Sequence, residues 1–472
     1  MDKQIKVHFM GIGGSGASSI AILAKQKGFI VTGCDASVSD YYTKALTDND
    51  IQVEEGHHKN HLDDVDICAI TPAILDVSPD NEEILEAKRR GILMTWQEFM
   101  GTYIQKDMKV LSVSGTHGKS TTTMLLGVLL EDAGLDPNVM AGTTYKDWGK
   151  GSRVGKSEYF VCEADEFNKN FLNYESSIAV INNLEMDHPE SYASFDVMIE
   201  AYIEFIKQLK NEKILIVNEE SDGIRRILTT LKDWFEKEKV TVIGYYGKEK
   251  FDFPFAKEYK TTILDKAKNH TTFEIESNGV KEIMSINLTG AYNINNAMSA
   301  VCVAKELGLS RDQIAQGLLR FKGVGRRFEL VGTVGDIYIY DDYAHHPTAV
   351  HEVLTMCNEL FPTNKIWAIF EPHQISRIEM LFDEFNQALD LADEVIITKT
   401  HLGREIHKGV KPIEASRWIQ KLGDKVSCIE ELEAITEYVK SHAGNEDVIV
   451  VFGAANSYRI SRSILEELSS KK

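Results

Sequence analysis

Val110-Leu111-Ser112-Val113-Ser114-Gly115-Thr116-His117-Gly118-Lys119-Ser120-Thr121-Thr122-Thr123 is the stretch around which the chain is organised. The apolar run predicts a strand ending at Gly115. A glycine-flanked loop follows, and the pattern beyond it predicts a helix from about Thr121. Loop N–H groups and a helix N-terminus together form an anion site. Glycine at both ends of the loop lets the backbone approach a phosphate without a Cβ in the way. Lys119 can then reach the outer phosphates of a nucleotide, and the Ser120 hydroxyl can sit on Mg2+. Val113 stands where the usual phosphate loop has its first glycine, so Gly115 to Ser120 is a short version of that loop.

Upstream, Gln4 to Met10 predicts a strand, Gly11-Ile12-Gly13-Gly14-Ser15-Gly16 a tight turn, and Ala17 to Lys27 a helix closed by Gly28. A second strand, Phe29 to Gly33, ends near Asp35, 19 residues after Gly16. This is a βαβ unit with a diphosphate-binding turn and an acid placed for a ribose hydroxyl. It suits any nucleotide diphosphate and does not require a nicotinamide. A strand at Val65 to Ile70 delivers Thr71 to the same edge.

Downstream, strands at Glu158 to Cys162 and Ile178 to Ile181 deliver Glu163-Ala164-Asp165-Glu166 and Asn182-Asn183-Leu184-Glu185-Met186-Asp187-His188. Glu163 and His188 could complete a metal site with Ser120, although Mg2+ prefers oxygen. Residues 240–290 alternate as β-structure, with a hairpin expected at Ser277-Asn278-Gly279. Gly290 then opens a helix to about Leu307. Gly325-Arg326-Arg327 places an arginine where it could neutralise a transferring phosphoryl group. A strand at Ile337 to Tyr340 ends in Asp341-Asp342-Tyr343-Ala344-His345-His346-Pro347, and Pro347 suits the first turn of a helix. The histidine pair could also hold zinc, but no further ligands stand nearby in sequence. Strand and helix alternate again to Phe452, which predicts parallel sheets with crossover helices.

Among the 472 residues, 52 lysines and arginines against 72 acids leave a net charge of −20. Such a surface repels nucleic acid. No apolar run approaches the ~18 residues of a membrane helix. Six cysteines are scattered without a Cys-x-x-Cys pair, as expected of a cytoplasmic protein. The expectation is therefore an α/β chain of three modules that binds nucleotides and neither nucleic acid nor membrane.

Taken in order, Gly115 to Ser120, Glu163 to Glu166, Asn183 to His188, Tyr292-Asn293-Ile294-Asn295-Asn296-Ala297, Arg326-Arg327-Phe328 and Asp341 to Pro347 resemble the Mur ligases. These are ATP-dependent amide-forming enzymes of peptidoglycan synthesis. The resemblance covers essentially the whole chain. His8-Phe9-Met10 with the glycine turn is similar to the branch that acts on UDP-N-acetylmuramate. Phe370-Glu371-Pro372-His373-Gln374-Ile375-Ser376-Arg377 is more like the members that add L-alanine than those that recycle a murein tripeptide.

The resemblance implies a Rossmann-like N-terminal domain (residues 1–106), a central P-loop ATPase domain (107–324) and a C-terminal Rossmann-like domain (325–472). It implies that Gly11, Ile12, Gly13, Gly14, Ser15, Gly16, Asp35 and Thr71 face the UDP-sugar. Gly115, Thr116, His117, Gly118, Lys119, Ser120, Thr121, Asn293, Asn296, Arg327 and Asp342 would bind ATP. Ser120, Glu163 and His188 would hold Mg2+. His345 and Arg377 would line the amino-acid pocket, and Lys119, His188, Arg327 and His345 would carry the chemistry. The chain would act as a monomer or dimer. The sequence departs from the family at Ser120, at Phe167-Asn168 in the acidic turn, at Pro189 and at Gly453-Ala454-Ala455-Asn456. Two other readings each fit part of the sequence. A nicotinamide-dependent oxidoreductase would use only the first glycine turn, and an ATP-driven switch would use only the phosphate loop.

Overall fold

The apolar runs assemble into three separate sheets. The computed structural model describes residues 4–36, 45–402, 405 and 413–470. The first sheet holds β1 (Lys6–Met10), β2 (Ile30–Asp35), β3 (Gln52–Glu55), β4 (Ile67–Ile70) and β5 (Leu93–Thr95). Their order is β3-β2-β1-β4-β5 and every pairing is parallel. Strand order reverses at β1, and ligand crevices open at such a switch point. The Gly11 turn leaves β1 there.

The second sheet has ten strands. They are β6 (Lys109–Ser114), β7 (Asn138–Tyr145), β8 (Lys150–Arg153), β9 (Tyr159–Glu163), β10 (Ile178–Ile181), β11 (Ile214–Asn218), β12 (Thr241–Tyr246), β13 (Lys257–Ala267), β14 (His270–Ser277) and β15 (Val280–Ile286). The order is β15-β14-β13-β12-β11-β10-β6-β9-β7-β8. β6 lies between β10 and β9, all parallel, so the loops after these three strands meet at one edge. The antiparallel pairs lie at the two ends of the sheet. The Lys119–Asp132 helix is buried from Ser120 to Leu130. It is covered by the sheet on one side and the Ala291–Glu306 and Arg311–Arg320 helices on the other. A helix enclosed in this way is apolar all round. The expected hairpin closes at Asn278 and Gly279, both at positive φ, between the paired Ser277 and Val280.

The third sheet holds β16 (Glu329–Val334), β17 (Ile337–Asp342), β18 (Ile366–Phe370), β19 (Glu394–Ile397), β20 (Val426–Cys428) and β21 (Val448–Phe452). The order is β16-β17-β21-β18-β19-β20, and only β16 runs antiparallel to its neighbour. Pro347 opens the Pro347–Leu360 helix as expected.

Two features differ from expectation. The phosphate-loop helix begins at Lys119, two residues before Thr121, because Gly118 takes a left-handed cap conformation (φ 81°) and the chain is helical from the next residue. The Asp222–Glu238 helix and the β7–β8 hairpin carried no sequence expectation. Among the described residues, no helix is long and apolar enough to cross a membrane.

Candidate active site

The phosphate loop is shaped by what surrounds it. Gly115 sits at φ 126°, and a Cβ there would lie 2.9 Å from the Asn183 carbonyl oxygen. A Cβ on Gly118 would collide with Asn296 Oδ1. The loop is tied to the segment after β10. Thr116 N–H donates to the Asn183 carbonyl at 3.2 Å, and His117 N–H donates to Asn183 Oδ1 at 2.8 Å. Thr116 Oγ1 donates to the Glu185 carbonyl and accepts from the Glu185 N–H.

Lys119 Nζ donates to the Gly115 carbonyl at 2.6 Å and to Glu166 Oε1 at 2.8 Å. Burial works against its charge, but Glu166, Asp165 and Glu163 more than reverse this and raise its pKa. Glu163 lies at the end of β9 beside the Ser120 hydroxyl. Burial pushes its carboxyl up against the pull of Ser120 and Lys119. Glu163 Oε1 and Glu166 Oε2 are buried without a hydrogen-bond partner. A buried, unpaired oxygen beside a phosphate loop is a position that a hard cation satisfies. Ser120 and Glu163 therefore fit Mg2+.

His188, the third expected ligand, groups with Asp165 and Glu166 instead, their ligand atoms lying within 4.8 Å of one another. Its backbone takes a left-handed φ of 54°. Burial disfavours its charge, but Glu190, Asp187, Glu166 and Asp165 outweigh that and raise its pKa.

A cleft of about 990 Å³ opens from the loop. His117, Asn293, Asn296, Arg327 and Asp342 line it. Asn293 is fixed by donating to the Thr289 carbonyl at 2.7 Å, and Asn296 donates to Asn293 Oδ1. The structure separates the two neighbouring arginines. Arg326 is folded back onto the third unit, donating to the Gly453 carbonyl and to Ser457 Oγ. Arg327 lies over the Tyr343 ring and faces the cleft. Asp342 accepts from the Phe328 and Ala344 N–H groups at 2.6 and 2.7 Å, which shapes the turn that carries Arg327. The departure at Gly453 has a structural partner as well, because Glu371 Oε2 accepts from the Asn456 and Ser457 N–H groups.

His345 and Arg377 do come together. Burial and the Arg377 charge hold the His345 imidazole well below its ordinary pKa. Its Nδ1 lies 2.9 Å from the Tyr343 carbonyl, which can only accept, so Nδ1 carries the proton and Nε2 is free. The Arg377 guanidinium is engaged. Nε and Nη2 donate to Asp187 Oδ1 at 3.1 and 2.8 Å, and Nη1 lies 3.3 Å from His373 Nδ1. Glu185 makes a second tie between the units. It meets His117 Nε2 at 3.0 Å and accepts from Thr348 Oγ1 at 2.7 Å. His346 packs on the His117 ring at 4.9 Å. The sequence points to the Asn182–His188 stretch as a whole, but not to Asn183, Glu185 or Asp187 individually, nor to Glu166.

At the first sheet, the Gly11 and Ile12 N–H groups donate to the Cys34 carbonyl, and Gly13 N–H donates to Asp35 Oδ2 at 2.8 Å. Thr71 Oγ1 donates to the Gly11 carbonyl. A Cβ on Gly16 would meet the Trp96 ring at 2.6 Å. Asp35 and Thr71 thus hold the turn itself, and one Asp35 oxygen is already engaged. Gly14 is exposed at the turn, and the Ser15 side chain lies outside the described atoms.

Comparison with known proteins follows the same three units. The Mur ligase family catalytic domain matches residues 6–106, the Mur ligase middle domain 113–304, and the Mur ligase glutamate ligase domain 326–455. The chain is 34% identical to the UDP-N-acetylmuramate–L-alanine ligase of Caldicellulosiruptor bescii, covering 96% of both chains. It is 32% identical to the ligase of the same name from Clostridium acetobutylicum, covering 98% of both. The solved UDP-N-acetylmuramate–alanine ligase of Thermotoga maritima shares the fold, with a TM-score of 0.80, 24% identity and coverage of 99% of this chain and 100% of that one. A murein peptide ligase of Psychrobacter arcticus shares it at a TM-score of 0.72 and 23% identity, covering 98% and 99%.

Proposed function

This chain belongs to the Mur ligase family, and from that premise we propose that it joins L-alanine to UDP-N-acetylmuramate with cleavage of ATP to ADP and phosphate. The observation that carries this is the near end-to-end match to relatives bearing that name, at 34% and 32% identity. An oxidoreductase would leave the phosphate loop idle, and a simple switch would leave His345 without a task.

The lactyl carboxylate oxygen attacks the γ-phosphorus of ATP, the bond to the β–γ bridging oxygen breaks, and ADP leaves with that electron pair. The resulting acyl phosphate is attacked at its carbonyl carbon by the amine of L-alanine. Phosphate departs and the nitrogen loses a proton. A carboxylate is a poor acylating agent, and phosphorylation supplies the leaving group. Most of the protein's contribution is positioning and charge neutralisation. Lys119 exchanges Glu166 for the β- and γ-phosphates. Arg327 faces the same charge from the third unit. Asn293 and Asn296 stand on the nucleoside side. His345, neutral with Nε2 free, takes the proton of the attacking amine. Arg377 lies beside it at the acceptor end, and His188 orders the Asp165–Glu166 carboxylates. Ser120 and Glu163, with His188 beside them, are the residues that would hold Mg2+. A bound Mg2+ supplies neutralisation of the phosphate oxygens.

The Gly11–Gly16 turn takes the UDP diphosphate. We divide the chain at residues 1–106, 107–324 and 325–472, for the UDP-sugar, for ATP and for the acceptor. The reaction belongs in the cytoplasm, where ATP and the nucleotide sugar are available.

The test is ADP release by the purified chain with UDP-N-acetylmuramate and single acceptors, with the product weighed by mass spectrometry. L-alanine should be the best acceptor, with glycine and serine detectable but poor, because one methyl in a pocket discriminates by only ~1–3 kcal/mol. A faster reaction with the L-Ala-γ-D-Glu-diaminopimelate tripeptide would assign the chain to peptide recycling instead.

A further inference from the structure

Behind the glycine turn of the first unit lies a group of side chains that the ligase reaction does not use. His8 on β1, Cys34 on β2, His61 in the Lys59–Leu62 turn and Glu83 on the Glu82–Arg90 helix each bring one possible ligand atom into a single cluster. These atoms all lie within 4.8 Å of one another. His8, Cys34 and Glu83 are at most 1% exposed, and the His61 side chain is 7% exposed. We propose that His8 Nε2, Cys34 Sγ, His61 Nδ1 and a Glu83 carboxylate oxygen form a structural zinc site.

The spacing fits. A tetrahedral zinc with nitrogen at about 2.0–2.1 Å and sulfur at about 2.3 Å spaces its ligands about 3.3–3.6 Å apart. His8 Nε2 lies 3.3 Å from Cys34 Sγ; it pairs directly with the other Glu83 oxygen, Oε1, at 2.9 Å, a contact shorter than that spacing which metal binding would open. Cys34 Sγ lies 3.4 Å from Glu83 Oε2, and His61 Nδ1 lies 3.3 Å from the same oxygen. The other ring nitrogens are already engaged, and His61 Nδ1 itself accepts from the His58 N–H at 3.4 Å, a long contact that the metal would replace. His8 Nδ1 meets Thr32 Oγ1 at 2.9 Å, and His61 Nε2 meets Glu54 Oε2 at 3.1 Å. A carboxylate behind a ligating imidazole fixes its tautomer and aims its lone pair at the metal. His57 Nδ1, 3.1 Å from Cys34 Sγ, is placed to donate to a thiolate.

The charge fits as well. Two neutral imidazoles, one thiolate and one carboxylate balance a divalent cation, so the loaded site is neutral in a buried setting. A metal bound by the Cys34 sulfur takes the place of the thiol proton, which is released on binding. Mixed nitrogen, sulfur and oxygen donors select zinc over Mg2+. The site pins β1, β2, the turn and the helix together directly behind the Cys34 carbonyl, which accepts from Gly11 and Ile12.

The experiment uses the full chain. After expression with zinc and dialysis against buffer, elemental analysis should find one zinc per chain. Chelator-stripped protein titrated with Co2+ in excess Mg2+ should take up one equivalent. It should show the visible bands of a four-coordinate site and a near-ultraviolet thiolate-to-cobalt band. Cys34→Ser should remove the thiolate band, and His61→Ala should lower Co2+ affinity at least tenfold. Wild-type protein with less than a tenth of an equivalent of zinc and no thiolate band would overturn the proposal. So would a Co2+ spectrum unchanged by Cys34→Ser, because the metal would then sit elsewhere, for example at His117, Glu185 and His346.

Discussion

Replacing Arg377 by alanine should uncouple the second unit from the third. The Arg377 side chain is 1% exposed and that of Asp187 6%, and two hydrogen bonds join them across the boundary. Burial alone would raise the Asp187 carboxyl. His188, Arg377 and His345 more than reverse that and hold it well below the usual range. Removing the guanidinium takes two hydrogen bonds from this buried carboxylate and leaves it the His188 N–H and the neighbouring imidazoles, at a cost of about 3–5 kcal/mol. If turnover requires the joined arrangement, that is roughly 10²- to 4 × 10³-fold in kcat/KM. Arg377→Ala should therefore depress kcat/KM for ATP, UDP-N-acetylmuramate and L-alanine together, with a further rise in the KM for L-alanine. Adding Asp187→Asn removes the unpaired charge and should recover at least about tenfold, because contacting residues are not additive. Steady-state ADP release on the four proteins of this cycle, each with native circular dichroism, is the assay. Additive effects would refute the reasoning. So would an Arg377→Ala enzyme in which only the KM for L-alanine moves, since Arg377 would then serve the acceptor alone.

Lys119→Ala should lower kcat roughly 10²-fold or more with the fold intact, since one charge at a transferring phosphate is lost; near-wild-type turnover would remove the loop from the mechanism. Gly118→Ala combines a left-handed φ with a collision at Asn296, so the KM for ATP should rise at least tenfold; an unchanged KM would contradict that geometry. Gly13→Val drives a side chain into Asp35 and should raise the KM for UDP-N-acetylmuramate far more than that for ATP; equal shifts would argue against a UDP-sugar turn. Acid should weaken the junction in two stages. Burial and the neighbouring His117 lower His346 to about 4 from 6.5, so its neutral form stabilises the fold above pH 6.5, and about 3 kcal/mol is lost as pH falls to 4. For Glu185, burial would raise the carboxyl, but the His117 hydrogen bond and charge reverse this and hold it near 2, so its contribution is lost between pH 4.5 and 2. Melting temperature against pH should fall less steeply between 6.5 and 4 in His346→Gln; an identical slope would show that His346 does not set it.

The phosphate loop and the strands at its edge were legible because each is a local pattern: an apolar run, a glycine pair, then Lys119-Ser120. The Asn278-Gly279 hairpin was legible for the same reason. What stayed hidden depends on distant partners. Nothing local distinguishes Arg326 from Arg327; the loop at Gly453, more than a hundred residues away, captures the first and leaves the second facing the cleft. Nor does the sequence show that Arg377 spends its donors on Asp187, or that Lys119 rests on Glu166. Asp35 was legible as an acid at the right distance from Gly16, but its hydrogen bond to Gly13 is a tertiary fact. The scattered cysteines suggested buried small hydrophobes, and Cys34 is buried, yet His8, His61 and Glu83 around it come from three other elements.

In the proposed reaction a carboxylate is activated by phosphate and then captured by L-alanine. The most direct test follows oxygen atoms. UDP-N-acetylmuramate carrying oxygen-18 in its lactyl carboxylate is turned over with ATP, with and without L-alanine, and the phosphate and product are weighed. The account predicts one labelled oxygen in each phosphate released, an L-alanyl product that has lost one label, and neither in the absence of ATP. Unlabelled phosphate accompanying the L-alanyl product would contradict the acyl-phosphate route, and labelled phosphate without any L-alanyl product would contradict L-alanine as the acceptor.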